Sequence, residues 1–407
     1  MFIGNFADSA GRRPAYIICF VIYIASNIGL ALQDSYGALI ALRCVQSSGI
    51  SSSVALSAAT VADIATKKER GSMMGFVMAG SFMGPAVGPI IGGLLAQYLG
   101  WRSIFWFLTI ASGVFFLPLL VFMPETARNV VGDGSEPAQA WNRPFIHYMR
   151  CNRRGKVDDT SSSDGNSDIE PKKHEKLRFP NPLKPLKLVC HVNSIIVLLV
   201  TGIIMGANMT VLSSITSIYS SLYGLDVLEI GLCYITMGVG SIVASVVAGR
   251  LLDLAYRYLA KHHAPDASTE EQETVPVEKA RSMVLVPLVC LGAGMTLAFG
   301  WTLQYGVHLA APEVFMFFIG LGLTGSFICA STLLVDLHTS RPAAATASNN
   351  LVRSLFSAAA SAAIDPMLTA LGRGWAFTIV MFLLLATIPF LMFLWLGGRR
   401  KKNTTAA

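Results

Sequence analysis

Long apolar runs separated by short charged segments determine what this chain can fold into. A helix needs about 20 apolar residues to cross roughly 30 Å of hydrocarbon. Charged residues make up only 14% of the chain, well below the share usual in soluble proteins. None of the runs alternates polar and apolar residues, as strands of a membrane barrel would. We therefore predict an all-α polytopic membrane protein with ten spans: Ala15–Leu32, Tyr36–Ala62, Ser72–Tyr98, Ser103–Phe122, His191–Ser220, Val227–Gly249, Met283–Leu303, Pro312–Val335, Ala344–Leu368 and Trp375–Leu396.

The basic residues predict how the chain is oriented. Of the 31 Lys and Arg residues, only Arg102 and Arg373 fall in the predicted outer loops, and Arg43 and Arg353 lie inside apolar runs. The others lie on the opposite side, which the positive-inside rule assigns to the cytoplasm. The net charge of +7 therefore indicates a basic cytoplasmic face in contact with the bilayer, not a nucleic-acid partner.

The second half of the chain repeats landmarks of the first. GNFAD (4–8) matches GRLLD (249–253), VADIATKKER (61–70) matches LVDLHTSR (334–341), and LGWR (99–102) matches LGRGW (371–375). Such a repeat predicts two pseudo-symmetric helix bundles. Two runs precede GRLLD and none precedes GNFAD, so we expect a twelve-helix architecture that lacks its first two helices here.

This repeat divides the chain into four predicted parts. We expect an N-terminal bundle without its first two helices at 1–123 and a cytoplasmic, largely disordered middle loop at 124–190. A six-helix bundle at 191–398 and a basic cytoplasmic tail at 399–407 complete the chain.

Several motifs resemble one transporter family. GNFADSAGRRP (4–14) is similar to the loop 2–3 signature of the major facilitator superfamily, and LIALRCVQSSG (39–49) resembles its fourth-helix arginine motif. GSFMGPAVGPIIGG (80–93) resembles its fifth-helix antiporter motif, and Pro124-Glu125-Thr126 resembles the end of the sixth helix in twelve-spanner drug:proton antiporters. LLVDLHTSRPAAATASNNLVRS (333–354), with Asp365-Pro366 and Gly374-Trp375, resembles the fungal branch linked to quinidine and weak-organic-acid resistance.

The charged signature residues form a predicted cytoplasmic gate. Asp8 could face the N-terminus of the helix that starts near Ala344, and Arg12 could pair with Asp63. Such contacts would act as a latch between conformations; the alternative is that they are loop charges that satisfy turns. The predicted gate residues are Asp8, Gly11, Arg12, Arg13, Asp63, Arg70, Asp253 and Asp336.

An arginine inside a span indicates function, because burying its charge costs about 2.5–3.5 kcal/mol even on insertion scales. We predict that Arg43 lines the transport cavity and couples proton binding to conformation; the alternative is that it snorkels to the outer interface. The predicted spans contain no mid-span carboxylate. We therefore hypothesise that a proton-carrying acid, if the protein uses one, lies on the two helices expected before residue 1.

Small residues recur every four positions in the antiporter-like motif, on one helix face. Small side chains let another helix approach closely, and prolines bend a helix. We predict a tight hinge against the other bundle, which the resemblance assigns to sealing the substrate path against proton leak. The predicted hinge residues are Gly80, Gly84, Pro85, Gly88, Pro89, Gly92 and Gly93.

Asn349 and Arg353 are one helical turn apart and share a face. Together with Asn350 they form a predicted substrate cavity, or alternatively a structural tie to the other bundle. The GxGxxG at 320–325 is not a nucleotide site, because no strand precedes it and it lies in an apolar run. We identify no catalytic group and expect neither a metal nor a cofactor.

The resemblance implies a secondary transporter that exports drugs, organic acids or related metabolites by proton antiport with alternating access. We expect a monomer, whose partners are a small-molecule substrate and protons, in a fungal plasma membrane or a vacuolar membrane. Two alternatives remain open: a truncated fragment that does not transport or that regulates, and a proton-independent facilitator or uptake carrier.

Overall fold

The computed structural model describes residues 6–7, 10–64, 70–127, 131, 192–263, 277–337 and 342–393, with some helix side chains excepted. The predicted basic tail at 399–407 lies outside the described residues. The same holds for the predicted middle loop, apart from its first residues.

The described chain is helical, and its helices follow the predicted spans closely. Each predicted span has a helical counterpart, although several helices extend further toward the cytoplasmic side than hydropathy indicates. The helices are α1 Arg12–Leu32, α2 Tyr36–Ile50, α3 Ser53–Ile64, α4 Arg70–Leu99, α5 Arg102–Phe122, α6 Val192–Tyr223, α7 Val227–His263, α8 Val277–Gln304, α9 Ala310–Leu337 and α10 Pro342–Leu385.

The structure corrects the prediction of one continuous helix at Tyr36–Ala62. A turn at Ser51 and Ser52 separates α2 from α3. The Ser51 hydroxyl donates to the carbonyl of Ser48 at 3.0 Å, and the Ser48 hydroxyl donates to Val45 at 2.7 Å. Serine hydroxyls that bond nearby carbonyls compete with the helical backbone, which explains a local break inside an apolar run.

Seven segments of the described chain are long and apolar enough to cross a membrane. One of them, Ala345–Phe393, contains both of the last two predicted spans, which meet at a kink where Gly372 adopts φ 80°. The α2–α3 break leaves two helices that are each too short to be counted. The described part of α4 contains the apolar helix Val87–Leu99, which is also too short to be counted as a span.

The chain forms two compact units, Met1–Ser81 with Tyr98–Pro182, and Phe82–Gln97 with Leu183–Ala407. The second half of α4 therefore groups with the second unit, whereas the sequence prediction placed it in the first bundle. In the first unit, α1 packs against α2 and α5. Its buried side chains form two small clusters, one around Cys19 and Leu56 and one around Leu30 and Phe105.

The second unit has one extensive apolar core, built by α6 to α10. Its most extensive pairings are α8 with α9, α6 with α10, and α7 with α9. Glycines permit these contacts: a Cβ at Gly322 would lie 2.6 Å from the backbone nitrogen of Gly292, and one at Gly202 would lie 2.8 Å from the Phe356 ring. The GxGxxG at 320–325 is therefore a helix-packing surface.

Two glycines that the sequence repeat matches have the same backbone conformation. Gly100 and Gly372, the matched glycines of LGWR and LGRGW, both have positive φ, 81° and 80°. This left-handed region is accessible to glycine at little cost, and each glycine precedes the helix that ends its half.

Candidate functional site

Arg12 and Asp63 form the first part of the predicted gate. Arg12 begins α1, and its Nε lies 2.9 Å from an Asp63 carboxylate oxygen at the end of α3. The two side chains are only 10% and 14% exposed. Gly11 precedes them with φ 115°, a conformation that favours glycine. The predicted contact is present; its role as a latch stays a prediction.

Glu125, which the sequence analysis did not single out as a site residue, completes this cluster. Its carboxylate accepts hydrogen bonds from the backbone N–H groups of Arg12 at 2.7 Å and Arg13 at 3.2 Å. It also accepts from its own loop, from Thr126 and Ala127, each at 3.0 Å. An anion is favourable at a helix N-terminus, where N–H groups lack helical acceptors. The loop after α5 therefore holds the start of α1.

The Arg13 guanidinium also connects the start of α1 to the end of α5, because it donates to the carbonyl of Leu120 at 2.8 Å. That carbonyl lies in the last turn of α5, where basic groups interact favourably with unpaired carbonyls. Arg13 therefore ties the beginning of α1 to the end of α5.

The second half contains an equivalent ion pair. Arg281, near the start of α8, lies 3.1 Å from Asp336 at the end of α9. The pair is more exposed than the first, at 25% and 32%. The sequence repeat matched Asp63 with Asp336 but did not identify Arg281 as the counterpart of Arg12. Of the other predicted gate residues, Asp8 lies outside the described residues, and the side chains of Arg70 and Asp253 are not described.

Arg43 is exposed and joins a polar network of the first unit. It donates to Gln46 at 3.2 Å, and Gln46 donates to Asn27 at 2.7 Å. Asn27 and Gln46 are buried, and the Arg43 guanidinium carbon lies 4.8 Å from the centre of the Phe105 ring. The bond to Gln46 runs one turn deeper into the span, which favours an inward-facing arginine over one that snorkels outward. Gln46 lies in the quoted arginine motif, but its role was not foreseen.

Arg353 and Asn349 lie in different surroundings in the structure, and their role in a substrate cavity stays a prediction. Asn349 is 2% exposed; its amide oxygen accepts from Thr201 of α6 at 2.7 Å, and its amide nitrogen donates to Ser331 of α9 at 3.3 Å. Asn349 therefore ties α10 to helices of its own unit and is not available to a substrate in this structure. Arg353 and Asn350 are partly exposed, and the Arg353 guanidinium lies 5.6 Å from the Phe327 ring centre.

The glycines that recur every four positions in the antiporter-like motif are not the residues through which it approaches another helix. A Cβ at Gly80, Gly84, Gly88 or Gly92 would meet no described heavy atom within 4 Å. Close contact occurs on the neighbouring face, where a Cβ at Gly231 of α7 would lie 2.7 Å from the Pro89 carbonyl and one at Gly93 3.0 Å from the Val227 carbonyl. The helix continues through Pro85 and Pro89 to Leu99.

Glu313 is an acidic residue inside a span that the sequence analysis missed. It lies one turn into α9, where one carboxylate oxygen accepts from the Thr236 hydroxyl of α7 at 2.6 Å. The other oxygen is buried and has no hydrogen-bond partner in the part of the chain that the structure describes. The Tyr219 hydroxyl and the Cys233 thiol lie beside it. Because Glu313 lies in the first turn of its helix, its position in the sequence is that of a charge at the membrane interface.

The site offers intramembrane charges and polar side chains rather than a catalytic or metal centre. Among the described residues, no group of three His, Cys, Asp or Glu could hold a metal ion. Arg43 and Arg353 can bind anions, and Glu313 can accept a proton. Together with the two helical units, these features define a multi-pass membrane protein.

The chain belongs to the Major Facilitator Superfamily, whose sequence pattern matches residues 1–362. It is 39% identical to the MFS-type transporter phiD of Fungal sp. (strain ATCC 74256), over 100% of this chain and 61% of the relative. The chain thus spans less than two thirds of that relative's length. It is also 34% identical to Citrate exporter 1 of Aspergillus niger, over 96% of this chain and 74% of that protein.

A solved structure shares the fold. The crystal structure of a D-xylose-proton symporter aligns with a TM-score of 0.63, at 15% identity, over 97% of this chain and 84% of the symporter. The MFS fold predicted from the motifs is confirmed. The curated relatives are named as transporters, so the chain is a member of a transporter family and not an enzyme.

Proposed function

We propose that this protein exports small organic acids across a fungal membrane in exchange for protons. The observation that carries the substrate class is the pair of arginines inside spans, one in each unit. Among the ion pairs of the described residues, none joins Arg43 or Arg353 to a carboxylate. A guanidinium in a low-dielectric setting favours a carboxylate ligand, which it can bind through two hydrogen bonds.

The relatives support the same choice among the substrates expected from the sequence. One relative with 34% identity is named a citrate exporter. Cationic drugs, the other class that the resemblance implies, would meet repulsion from both arginines. We therefore choose a tricarboxylate as the first probe.

Proton coupling requires a group that gains and loses a proton inside the membrane. Glu313 meets this requirement because its carboxylate lies in a span and only one of its oxygens is hydrogen-bonded. The titratable groups beside it are Tyr219 and Tyr223 of α6 and Cys233 of α7. Protonation would remove the negative charge that Thr236 stabilises and so alter the α7–α9 contact.

The remaining proposals follow the family resemblance. We propose that the ion-pair cluster of Arg12, Asp63 and Glu125 is part of the cytoplasmic gate, and that the protein acts as a monomer in the plasma membrane. The vacuolar membrane is the alternative location. A proton-independent carrier and a non-transporting fragment are the alternative functions.

The substrate class can be tested in lipid vesicles that contain the purified full-length chain and radiolabelled citrate. We expect citrate efflux, and we expect Arg43→Gln to lower it about tenfold, because it removes a charge-assisted hydrogen bond to the substrate. Arg102→Gln is the matched control, since this exposed outer arginine pairs with Asp34. It should leave efflux unchanged.

Two results would contradict the proposed substrate class. One is citrate efflux by Arg43→Gln at the rate of the unmodified protein. The other is transport of the lipophilic cation tetraphenylphosphonium without any transport of citrate.

A further inference from the structure

A cavity of about 580 Å³ lies in the second unit. It is formed where the end of α7, the start of α8 and residues 387–393 after α10 meet. Its apolar lining includes Met283, Val286, Pro287, Leu391 and Met392. All three segments lie at the cytoplasmic ends of their helices by the predicted orientation.

The cavity has one polar end. Lys279 and Ser282 line it on α8, one turn apart. Ser282 is only 7% exposed, and its hydroxyl has no hydrogen-bond partner among the described residues. Lys279 is partly exposed and carries a positive charge. This end of the cavity is therefore suited to a ligand with an anionic group.

Depth along α8 separates the polar end from the apolar end. Lys279 precedes the apolar segment Arg281–Gln304 of the structure, whereas Pro287 lies six residues inside it. At 1.5 Å per residue, the two positions are about 12 Å apart along the helix. The cavity thus changes from cationic to apolar in the direction in which the bilayer changes from headgroup to acyl chain.

The cavity rim faces the surroundings of the second unit. Tyr258, Met283 and Met392 are each about half exposed, at 53%, 54% and 49%. Exposed apolar side chains next to a membrane span are expected to contact lipid. Four basic residues, Arg399 to Lys402, follow residue 393 within a few positions in the sequence.

We propose that this cavity is a binding site for one anionic phospholipid of the cytoplasmic leaflet. The phosphate and headgroup pair with Lys279, and one acyl chain lies along Met283, Val286 and Pro287. The site is distinct from the proposed transport residues and would bind lipid whether or not the protein exchanges protons.

Native mass spectrometry of the full-length chain in detergent tests this site. We expect one phosphatidylserine to bind more tightly than phosphatidylcholine with the same acyl chains. Lys279→Ala should weaken phosphatidylserine binding about fivefold and remove the preference, as expected for one basic residue near an anionic surface. Lys172→Ala removes the same charge from the middle loop and should have no effect.

A second variant tests the apolar part of the cavity. Val286→Trp fills the space of the acyl chain and should reduce binding of both lipids, whereas Val314→Trp, at an exposed position of α9 outside the cavity, should not. Melting temperatures of the four variants in detergent show whether each remains folded.

Three results would overturn the proposal. The first is equal binding of phosphatidylserine and phosphatidylcholine, and the second is unchanged phosphatidylserine binding in Lys279→Ala. The third is lipid binding that occurs only after residues 394–407 are removed, which would identify the chain's own tail as the occupant.

Discussion

At the scale of single residues, the cytoplasmic ends of the helices are held by charge. Arg12 pairs with Asp63, and the carboxylate of Glu125 accepts the first N–H groups of α1. Partly buried ion pairs of this kind are sensitive to the loss of one member, since the remaining charge keeps its desolvation cost. The second-half pair, Arg281 with Asp336, has the same geometry in a more exposed setting.

The difference in exposure predicts a difference in stability. We expect Asp63→Asn to lower the free energy of unfolding by about 2 kcal/mol, because it removes the charge of one member of a nearly buried ion pair. Asp336→Asn should cost about 0.5 kcal/mol, the usual range for an exposed pair. Unfolding of both purified variants in a detergent titration measures this difference. Equal losses would show that burial does not set the strength of the two pairs.

Sequence reasoning predicted some of these residue contacts and missed others for a physical reason. The Arg12–Asp63 contact was foreseen because the motif resemblance placed both residues at cytoplasmic helix ends. Glu125 and Arg281 were not assigned roles, since their partners depend on how distant segments fold together. The helix face of Asn349 left a cavity role and a structural tie open, and its hydrogen bonds to Thr201 and Ser331 on two other helices could not be read from that face.

At the scale of helices, hydropathy predicted the spans and glycine positions determine how they pack. Apolar length located the helices because the bilayer requires it. The break after α2 and the close contact at Pro89 and Gly93 depend on local hydroxyl bonds and on the face that a neighbour occupies, which hydropathy does not report. The glycines at positions 80, 84, 88 and 92 have the spacing of a helix contact. The described contact with α7 is made by the neighbouring face of α4, at Pro89 and Gly93.

Two glycines of α7 provide a matched test of this packing. A Cβ at Gly240 would fall well inside the van der Waals distance of the Phe317 carbonyl oxygen on α9, whereas a Cβ at Gly249 would meet nothing within 4 Å. We expect Gly240→Ala to lower the free energy of unfolding by about 2 kcal/mol through overpacking.

Gly249→Ala should instead raise the free energy of unfolding by about 0.5 kcal/mol through helix propensity. Detergent unfolding of the two variants makes the comparison. An equally mild effect of both substitutions would contradict the tight α7–α9 contact.

At the scale of the whole molecule, the internal repeat connects sequence, fold and proposed function. Two units, a matched pair of left-handed glycines and two matched ion pairs agree with the predicted symmetry. The family membership follows from the same motifs. What the repeat could not predict is the chemistry of the cargo and of proton coupling, which depends on single side chains such as Arg43 and Glu313 that have no repeat partner.

The most direct test of proton-coupled export is citrate efflux from vesicles containing the full-length chain, with and without an imposed inward proton gradient. We expect the gradient to accelerate efflux and a protonophore to abolish the acceleration. Glu313→Gln should exchange citrate but lose its response to the gradient, whereas Glu229→Gln, an exposed acid on α7, should keep it. Efflux of citrate at the same rate with and without the gradient would contradict antiport, and no citrate movement at all would contradict organic-acid export.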